Sequence, residues 1–136
     1  MENLKISLIQ SDLVWENPTL NRQYFEQKIA QIGETDLIVL PEMFTTGFTM
    51  NAARFAEKSD GETFTWLQKM ALAKNAAITG SFIVEEQGKF YNRMFWVNPN
   101  GSFTKYDKHH TFTLAGEDKT YSAGKQQVVL EYKHWK

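Results

Sequence analysis

The sequence predicts an α/β fold, and three observations point to it. A segment rich in Leu and Ile, residues 4–10, is followed by a helical pattern of apolar residues and then by a continuous apolar run, residues 36–40. A strand, a helix and a strand in this order form a βαβ unit. Its crossover is almost always right-handed, so we expect two parallel strands with the helix on one face of the sheet.

The first helix has a clear start and a regular apolar stripe. Asn17 supplies a capping side chain, and Pro18 occupies the first helical position, where its missing N–H costs nothing. Arg22 and Glu26 are expected on the solvent side. Apolar residues recur at helical spacing up to about Gly33 and are expected to face the sheet: Leu20, Tyr24, Phe25, Ile29 and Ile32.

The remaining elements are predicted from apolar patterns and turn signals. Residues 41–61 form a long connection that contains several aromatic residues, and a second helix is expected over about 60–75. The Gln87-Gly88 pair and the Pro-containing turn at 98–101 predict connections between neighbouring strands. Four strands are expected here, at residues 77–86, 90–98, 102–106 and 128–132.

Composition and charge limit the classes of function. The 136 residues are 42% hydrophobic and 14% aromatic, which is enough for the core of one domain or part of one. A net charge of -1 argues against nucleic acid or an anionic membrane as a partner. No apolar run approaches the ~20 residues that span a bilayer, and no leader cleavage pattern is visible, so we expect a cytoplasmic protein. The absence of cysteine excludes disulfides and thiolate metal sites.

Glu42 is the first candidate for chemistry. It lies just past the end of a buried strand, where open α/β sheets bind their ligands. Among Met43, Phe44 and Phe48, its carboxylate is expected to be poorly solvated, as suits a general base. A loop glutamate that points into water is the alternative, and spacing alone leaves it open.

The segment 106–112 is the second candidate, because it follows a strand and carries Lys108. A lysine in that place would stabilise a developing oxyanion, and the alternative is a solvated turn rich in charge. His109 and His110 invite a metal hypothesis. It is weak, because neighbouring side chains on an extended segment point in opposite directions and no cysteine supports them.

Glu117 is the third candidate, in a polar stretch that runs from Gly116 to Lys119. Its carboxylate would orient Lys108 or a substrate ammonia group. Alternatively, it caps a short turn. Spacing does not decide between these two interpretations.

The three polar segments belong to longer motifs in a fixed order: Leu40-Pro-Glu-Met-Phe-Thr-Thr-Gly-Phe48, Tyr106-Asp-Lys-His-His-Thr-Phe112 and Gly116-Glu-Asp-Lys-Thr-Tyr-Ser-Ala-Gly124. This set resembles the nitrilase superfamily of carbon-nitrogen hydrolases, especially its bacterial omega-amidase branch. Residues 5–10 and the hairpin around 91–93 also look like that family. The resemblance therefore covers nearly the whole chain, as the N-terminal half of such an enzyme.

The resemblance implies a role for each candidate. Glu42 corresponds to the general base, Lys108 to the lysine that stabilises the tetrahedral intermediate, and Glu117 to a second glutamate that supports the site. The family's nucleophile is a later cysteine, and this chain has none. The implied reaction is hydrolysis of a small omega-amide, such as 2-oxoglutaramate, through a cysteine thioester without a metal or organic cofactor. Loop aromatic residues are expected to line the substrate pocket: Phe44, Phe48 and Phe112.

The fold implied by the resemblance is a four-layer α-β-β-α sandwich. Residues 1–136 are expected to form half of it, as the N-terminal part of a single domain truncated before the catalytic cysteine, and to be inactive alone. A half sandwich exposes apolar sheet surface, so we expect it to be covered either in a tight homo-oligomer or by a further part of the polypeptide.

Two other classes of protein are possible from the residues alone. One is a non-catalytic α/β module that binds a small ligand in the loop after Leu40, and the other is a structural fragment that supports a partner chain. No Gly-rich phosphate loop is present for nucleotide binding. Neither class accounts for three polar clusters in the order of an amidase site.

Overall fold

A mixed five-stranded sheet organises residues 3–136, the part of the chain that the computed structural model describes. The strands lie side by side in sequence order: β1 (Ile6–Leu8), β2 (Leu37–Val39), β3 (Ala77–Glu86), β4 (Lys89–Val97) and β5 (Phe103–Asp107). β1, β2 and β3 are parallel, and β4 and β5 are added by antiparallel pairing. The predicted βαβ unit and the α/β class are confirmed.

Three helices connect the parallel strands: α1 (Pro18–Gln31), a short α2 (Ala52–Phe55) and α3 (Glu62–Lys74). α1 and α3 cover one face of the sheet, whereas Ala52 of α2 packs in a second cluster with Ile83. The predicted cap of α1 is present, because Asn17 Oδ1 accepts a hydrogen bond from the Leu20 N–H at 3.1 Å. α2 was not predicted, nor were a 3-10 helix (Thr113–Ala115) and α4 (Glu117–Thr120) after β5. Within residues 3–136, no helix is long and apolar enough to cross a membrane.

The main core lies between the helices and the sheet, and Phe44 is at its centre. Phe44 is 0% exposed, and its ring meets those of Phe25, Phe82 and Trp66 at centroid distances of 5.7, 6.3 and 5.7 Å. Gly80 of β3 permits this packing, since a Cβ there would lie 3.0 Å from Phe44 Cδ1. The loop after β2 is therefore anchored in the core by its aromatic residue.

The buried stripe of α1 differs from the predicted one. Phe25 is buried as expected, but Leu20 is 47% exposed and Arg22 is only 7% exposed. The guanidinium of Arg22 reaches α3, where Nη2 lies 2.7 Å from Glu62 Oε1 and Nη1 donates to Thr63 Oγ1 at 3.0 Å. The prediction that Arg22 faces solvent is wrong, because an interhelical ion pair draws this side chain inward.

No strand forms at residues 128–132, so that prediction is wrong. Tyr132 pairs with Trp135 through backbone hydrogen bonds of 2.8 and 2.9 Å, across a turn in which Lys133 and His134 both have positive φ. Residues 128–131 have no neighbouring strand within the described chain. An apolar, β-branched run is not sufficient for a strand, since the backbone also needs a partner.

The sheet face opposite the helices is only partly covered by the described residues. Ile6, Leu8 and Met94 point to this face and are 51%, 74% and 45% exposed. At one place Tyr132 packs on Trp96, with ring centroids 5.3 Å apart. One face is therefore a helix-packed core and the other an accessible surface on which a cleft can open.

Candidate active site

Glu42 follows β2 and is held in place by β3. The chain turns sharply at Met43, whose φ is 48°. Ser81 fixes the turn, because its Oγ accepts from the Met43 N–H at 2.9 Å and its carbonyl oxygen accepts from the Phe44 N–H at 3.1 Å. The side chains of Met43 and Phe44 enter two separate core clusters. They do not surround Glu42, whose side chain is 52% exposed, so the expectation of a poorly solvated carboxylate is wrong.

Lys108 lies one residue past β5 and joins two carboxyl groups. Its Nζ is 2.8 Å from Glu42 Oε1 and 3.1 Å from Glu117 Oε2. The ring centroid of Phe48 lies 5.2 Å from the same Nζ, within the range of a cation-π contact. Groups from two other motifs, residues 40–48 and 116–124, therefore converge on the ammonium of Lys108.

The surroundings of Lys108 favour its charged form. Burial lowers its pKa, but hydrogen bonds to Glu42 and Glu117 and the charges of these groups raise it by more. The net pKa is therefore above the ordinary lysine value of 10.5. The site presents a fixed positive charge, which is the requirement for stabilising an oxyanion.

Glu117 is completely buried, at the start of α4. Its Oε2 accepts hydrogen bonds from Lys108 Nζ and from the backbone N–H of Phe112. Its Oε1 has no hydrogen-bonding partner in the described structure. The sequence left open whether Glu117 orients Lys108 or caps a turn. Its carboxyl group makes both contacts, since it binds the lysine and closes the turn from Phe112.

Two residues fix the end of β5, from which Lys108 extends. Arg93 of β4 is 1% exposed, and its side chain donates to Asp107 at 2.6 and 3.0 Å, to Glu86 at 3.2 and 3.1 Å, and to Ser59 at 3.1 Å. From the other side, the Gly124 N–H donates to the Lys108 carbonyl at 3.0 Å. A Cβ on Gly124 would lie 2.0 Å from the Asp107 oxygen, so only glycine fits there.

A cleft of about 250 Å³ opens beside the Glu42–Lys108 pair, on the sheet face opposite α1 and α3. Strand residues form its floor: Thr79, Ser81, Asn92, Met94 and Tyr106. The Glu42–Lys108 pair therefore lies at the edge of an open space on this face of the sheet.

The sequence model of the carbon-nitrogen hydrolase family matches residues 5–133. The chain belongs to the carbon-nitrogen hydrolase family. The nitrilase-superfamily resemblance predicted from the motifs is thereby confirmed.

Individual relatives agree with this assignment. The carbon-nitrogen hydrolase chain is 40% identical to the omega-amidase YafV of Yersinia enterocolitica over 136 residues, which are 100% of this chain and 53% of the relative. It is 31% identical to the 2-oxoglutaramate amidase of Bacillus subtilis (strain 168) over 132 residues, 93% of this chain and 50% of that protein. It therefore spans about half the length of these relatives.

Solved structures show the same fold. XC1258 from Xanthomonas campestris, a CN-hydrolase superfamily protein with an arsenic adduct in the active site, superposes with a TM-score of 0.95 at 38% identity, over 99% of this chain and 51% of that one. Nit3 of Saccharomyces cerevisiae, from branch 10 of the nitrilase superfamily, has a TM-score of 0.79 at 22% identity, over 96% of this chain and 52% of that one. The predicted nitrilase-type fold is confirmed.

The three aromatic residues predicted to line the pocket of this hydrolase chain lie in different places. Phe44 is in the core and does not reach the cleft. Phe48 contacts the ammonium of Lys108, and Phe112 is 52% exposed on the turn held by Glu117. A substrate contact stays a prediction for Phe48 and Phe112, whereas for Phe44 the packing opposes it.

Tyr121 supports the loop that carries Phe48, a role that was not predicted from the sequence. Its side chain is 3% exposed, and its hydroxyl donates to the Thr49 carbonyl at 2.6 Å. Burial, together with the charges of Glu117 and Glu16, raises the pKa of Tyr121 well above its ordinary value of 10.0. The sequence feature that could have identified Tyr121 is its aromatic side chain within the polar stretch 116–124.

Tyr121→Phe is expected to lower the free energy of unfolding by about 1–2 kcal/mol at pH 7, because the buried Thr49 carbonyl loses its donor. The wild-type chain should also lose stability above pH 10. Tyr121 ionises more readily when unfolded, so its contribution is complete below the unfolded pKa and falls as pH rises towards the folded pKa. Urea unfolding from about pH 7 to 11 should show a shallower alkaline decline for the variant, while Tyr24→Phe, at an exposed tyrosine, should match the wild type.

Proposed function

We propose that this chain supplies the general base and the oxyanion-stabilising lysine of an amidase that hydrolyses small omega-amides. The observation that carries the proposal is the 2.8 Å contact between Glu42 Oε1 and Lys108 Nζ beside a cleft. Family membership supports carbon-nitrogen bond hydrolysis. The omega-amidase and 2-oxoglutaramate amidase relatives support a substrate such as 2-oxoglutaramate. No comparable observation favours a non-catalytic binding module.

The first half of the proposed reaction forms a thioester. Glu42 takes the proton of a cysteine thiol supplied from outside these 136 residues, and the thiolate sulfur attacks the amide carbonyl carbon. Lys108 stabilises the negative oxygen of the tetrahedral intermediate. As the carbon-nitrogen bond breaks, protonated Glu42 gives its proton to the departing ammonia.

The second half of the reaction releases the acid. Glu42 takes a proton from water, the resulting hydroxide attacks the thioester carbonyl, and the carbon-sulfur bond breaks. The cysteine then regains its proton from Glu42. Amide and water are thus converted to acid and ammonia, and no step needs a metal or an organic cofactor. Glu117 contributes by holding Lys108 Nζ through a second ion pair, of 3.1 Å.

The proposed assembly accounts for the exposure of Glu42. The uncovered sheet face carries apolar side chains, and covering it would remove water from the cleft as well as from this surface. The second half of a four-layer sandwich is the covering layer that the family resemblance implies. The homo-oligomer and the cytoplasmic location expected from the sequence stay predictions.

The 136-residue chain alone is expected to release no ammonia from 2-oxoglutaramate, because it contains no cysteine. Thr45 and Thr46 do not replace the nucleophile, since they are 2% and 0% exposed. A coupled ammonia assay on the purified chain measures this directly, with heat-unfolded chain as the blank. Ammonia release above the blank contradicts the thioester scheme, and so does a coding sequence without a cysteine codon shortly after Lys136.

A further inference from the structure

Asn92 lies at the centre of the site, although none of the three polar motifs includes it. It is on β4, is 3% exposed and lines the cleft. Its Nδ2 donates to Glu42 Oε1 at 2.7 Å, the same oxygen that accepts from Lys108 Nζ at 2.8 Å. Its carbonyl oxygen accepts from the Lys108 N–H at 3.0 Å. One residue therefore contacts both members of the pair.

The side-chain amide of Asn92 is only half satisfied. Its nitrogen must face Glu42, because a carboxylate oxygen accepts hydrogen bonds and the amide oxygen has no proton to donate. Its Oδ1 is enclosed and has no partner in the described structure. An unpaired buried acceptor is unfavourable for folding, and the position lies directly opposite Ile83 on β3. Packing alone would favour an apolar residue here.

We propose that Asn92 is a positioning residue that selects which oxygen of Glu42 reacts. The inference rests on the proposed function, in which Glu42 is the general base. Two donors, from Asn92 and Lys108, occupy the two lone pairs of Oε1. The proton of the thiol is therefore taken by Oε2. Glu42 is half exposed on a loop, and without the second donor its side chain exchanges among rotamers.

The substitution Asn92→Leu tests this, because leucine keeps a similar volume and removes both polar groups. In the wild-type chain, the three-bond Hα–Hβ couplings of Glu42 in NMR should report one rotamer. In Asn92→Leu they should become averaged, with the urea midpoint unchanged or higher. A merely structural asparagine would give the reverse: a lower midpoint and unchanged couplings. Thr79→Val is the matched control, since Thr79 lines the same cleft but donates to the Phe95 carbonyl at 2.8 Å.

A second measurement leaves Asn92 in place, so it does not depend on the folding of the leucine variant. Hydrogen exchange of the Asn92 side-chain amide should be at least about tenfold faster in Glu42→Ala than in the wild type, because a protecting hydrogen bond is lost. Equal exchange rates, or averaged Glu42 couplings in the wild type, overturn the positioning role. Failure of the proposed function would give a different result. A polypeptide that joins this chain to a cysteine would then release no ammonia, although both NMR results would still be obtained.

Discussion

Replacement of Arg93 by methionine is expected to lower the free energy of unfolding by about 2–4 kcal/mol. The side chain is 1% exposed, and its five N–H groups make five hydrogen bonds. Removing it leaves the carboxylates of Asp107 and Glu86 without their main partner. Asp107 is 22% and Glu86 43% exposed, so water restores part of the loss and keeps it below that of a fully buried pair.

Urea unfolding at neutral pH measures the Arg93 effect against a matched control. Arg54→Met removes an exposed arginine and should change the free energy of unfolding by no more than about 0.5 kcal/mol. Adding Glu86→Gln and Asp107→Asn to Arg93→Met should recover part of the loss, because the unpaired charges are then absent. A wild-type midpoint for Arg93→Met would show that the network does not stabilise the sheet.

The Arg93 network also links the stability of the sheet to the candidate site. Asp107 immediately precedes Lys108, so the residue that Arg93 holds determines where the ammonium lies. The same substitution should therefore speed hydrogen exchange at the Lys108 amide, which donates to the Asn92 carbonyl. This local loosening distinguishes a network that positions the site from one that contributes to stability alone.

The elements predicted correctly depend on local chemistry. Asn17 and Pro18 begin a helix through their own hydrogen-bonding and φ preferences. Gln87 and Gly88 both adopt positive φ, as a two-residue hairpin turn requires. These features depend on a few neighbouring residues, so the local sequence is sufficient to predict them.

The errors involve partners that are distant in sequence. Arg22 was placed towards solvent because helical periodicity counts hydrophobicity and does not include the interhelical contact with Glu62. Residues 91–93 resembled the family, but no role was predicted for Asn92, because a polar residue in a strand shows no partner until the register sets it beside Glu42. In the same way, the apolar run at 128–132 contains no information on whether a neighbouring strand is present to pair with it.

The aromatic residues near Glu42 show which features of a site a sequence motif predicts and which it does not. The resemblance identified three polar groups that the fold brings together, although 66 residues separate Glu42 from Lys108 in sequence. It did not determine where Phe44 points, because a single turn residue, Met43 with φ of 48°, reverses the chain and sends that ring into the core. The motifs therefore predicted which polar groups form the site better than they predicted which aromatic residues line it.

In a polypeptide that joins this chain to a nucleophilic cysteine, Glu42→Gln is expected to lower kcat for 2-oxoglutaramate about a thousandfold. Glutamine keeps the length of the side chain and can still accept from Asn92, but it cannot take the thiol proton. Ammonia release measures the rate, and Glu34→Gln is the control because that glutamate is 87% exposed and pairs only with Lys5 among the described residues. A variant that retains more than about a tenth of wild-type kcat would exclude Glu42 as the base.

Lys108→Met should have an effect of similar size, since the oxyanion loses its positive partner. The double variant should be much less impaired than the product of the two single losses, because groups that act on the same intermediate are not additive. The structure gives the physical reason. Glu42 and Lys108 share one hydrogen bond, so loss of either side chain already displaces the other from its reacting position. Fully multiplicative losses would instead indicate that the two groups act in separate steps.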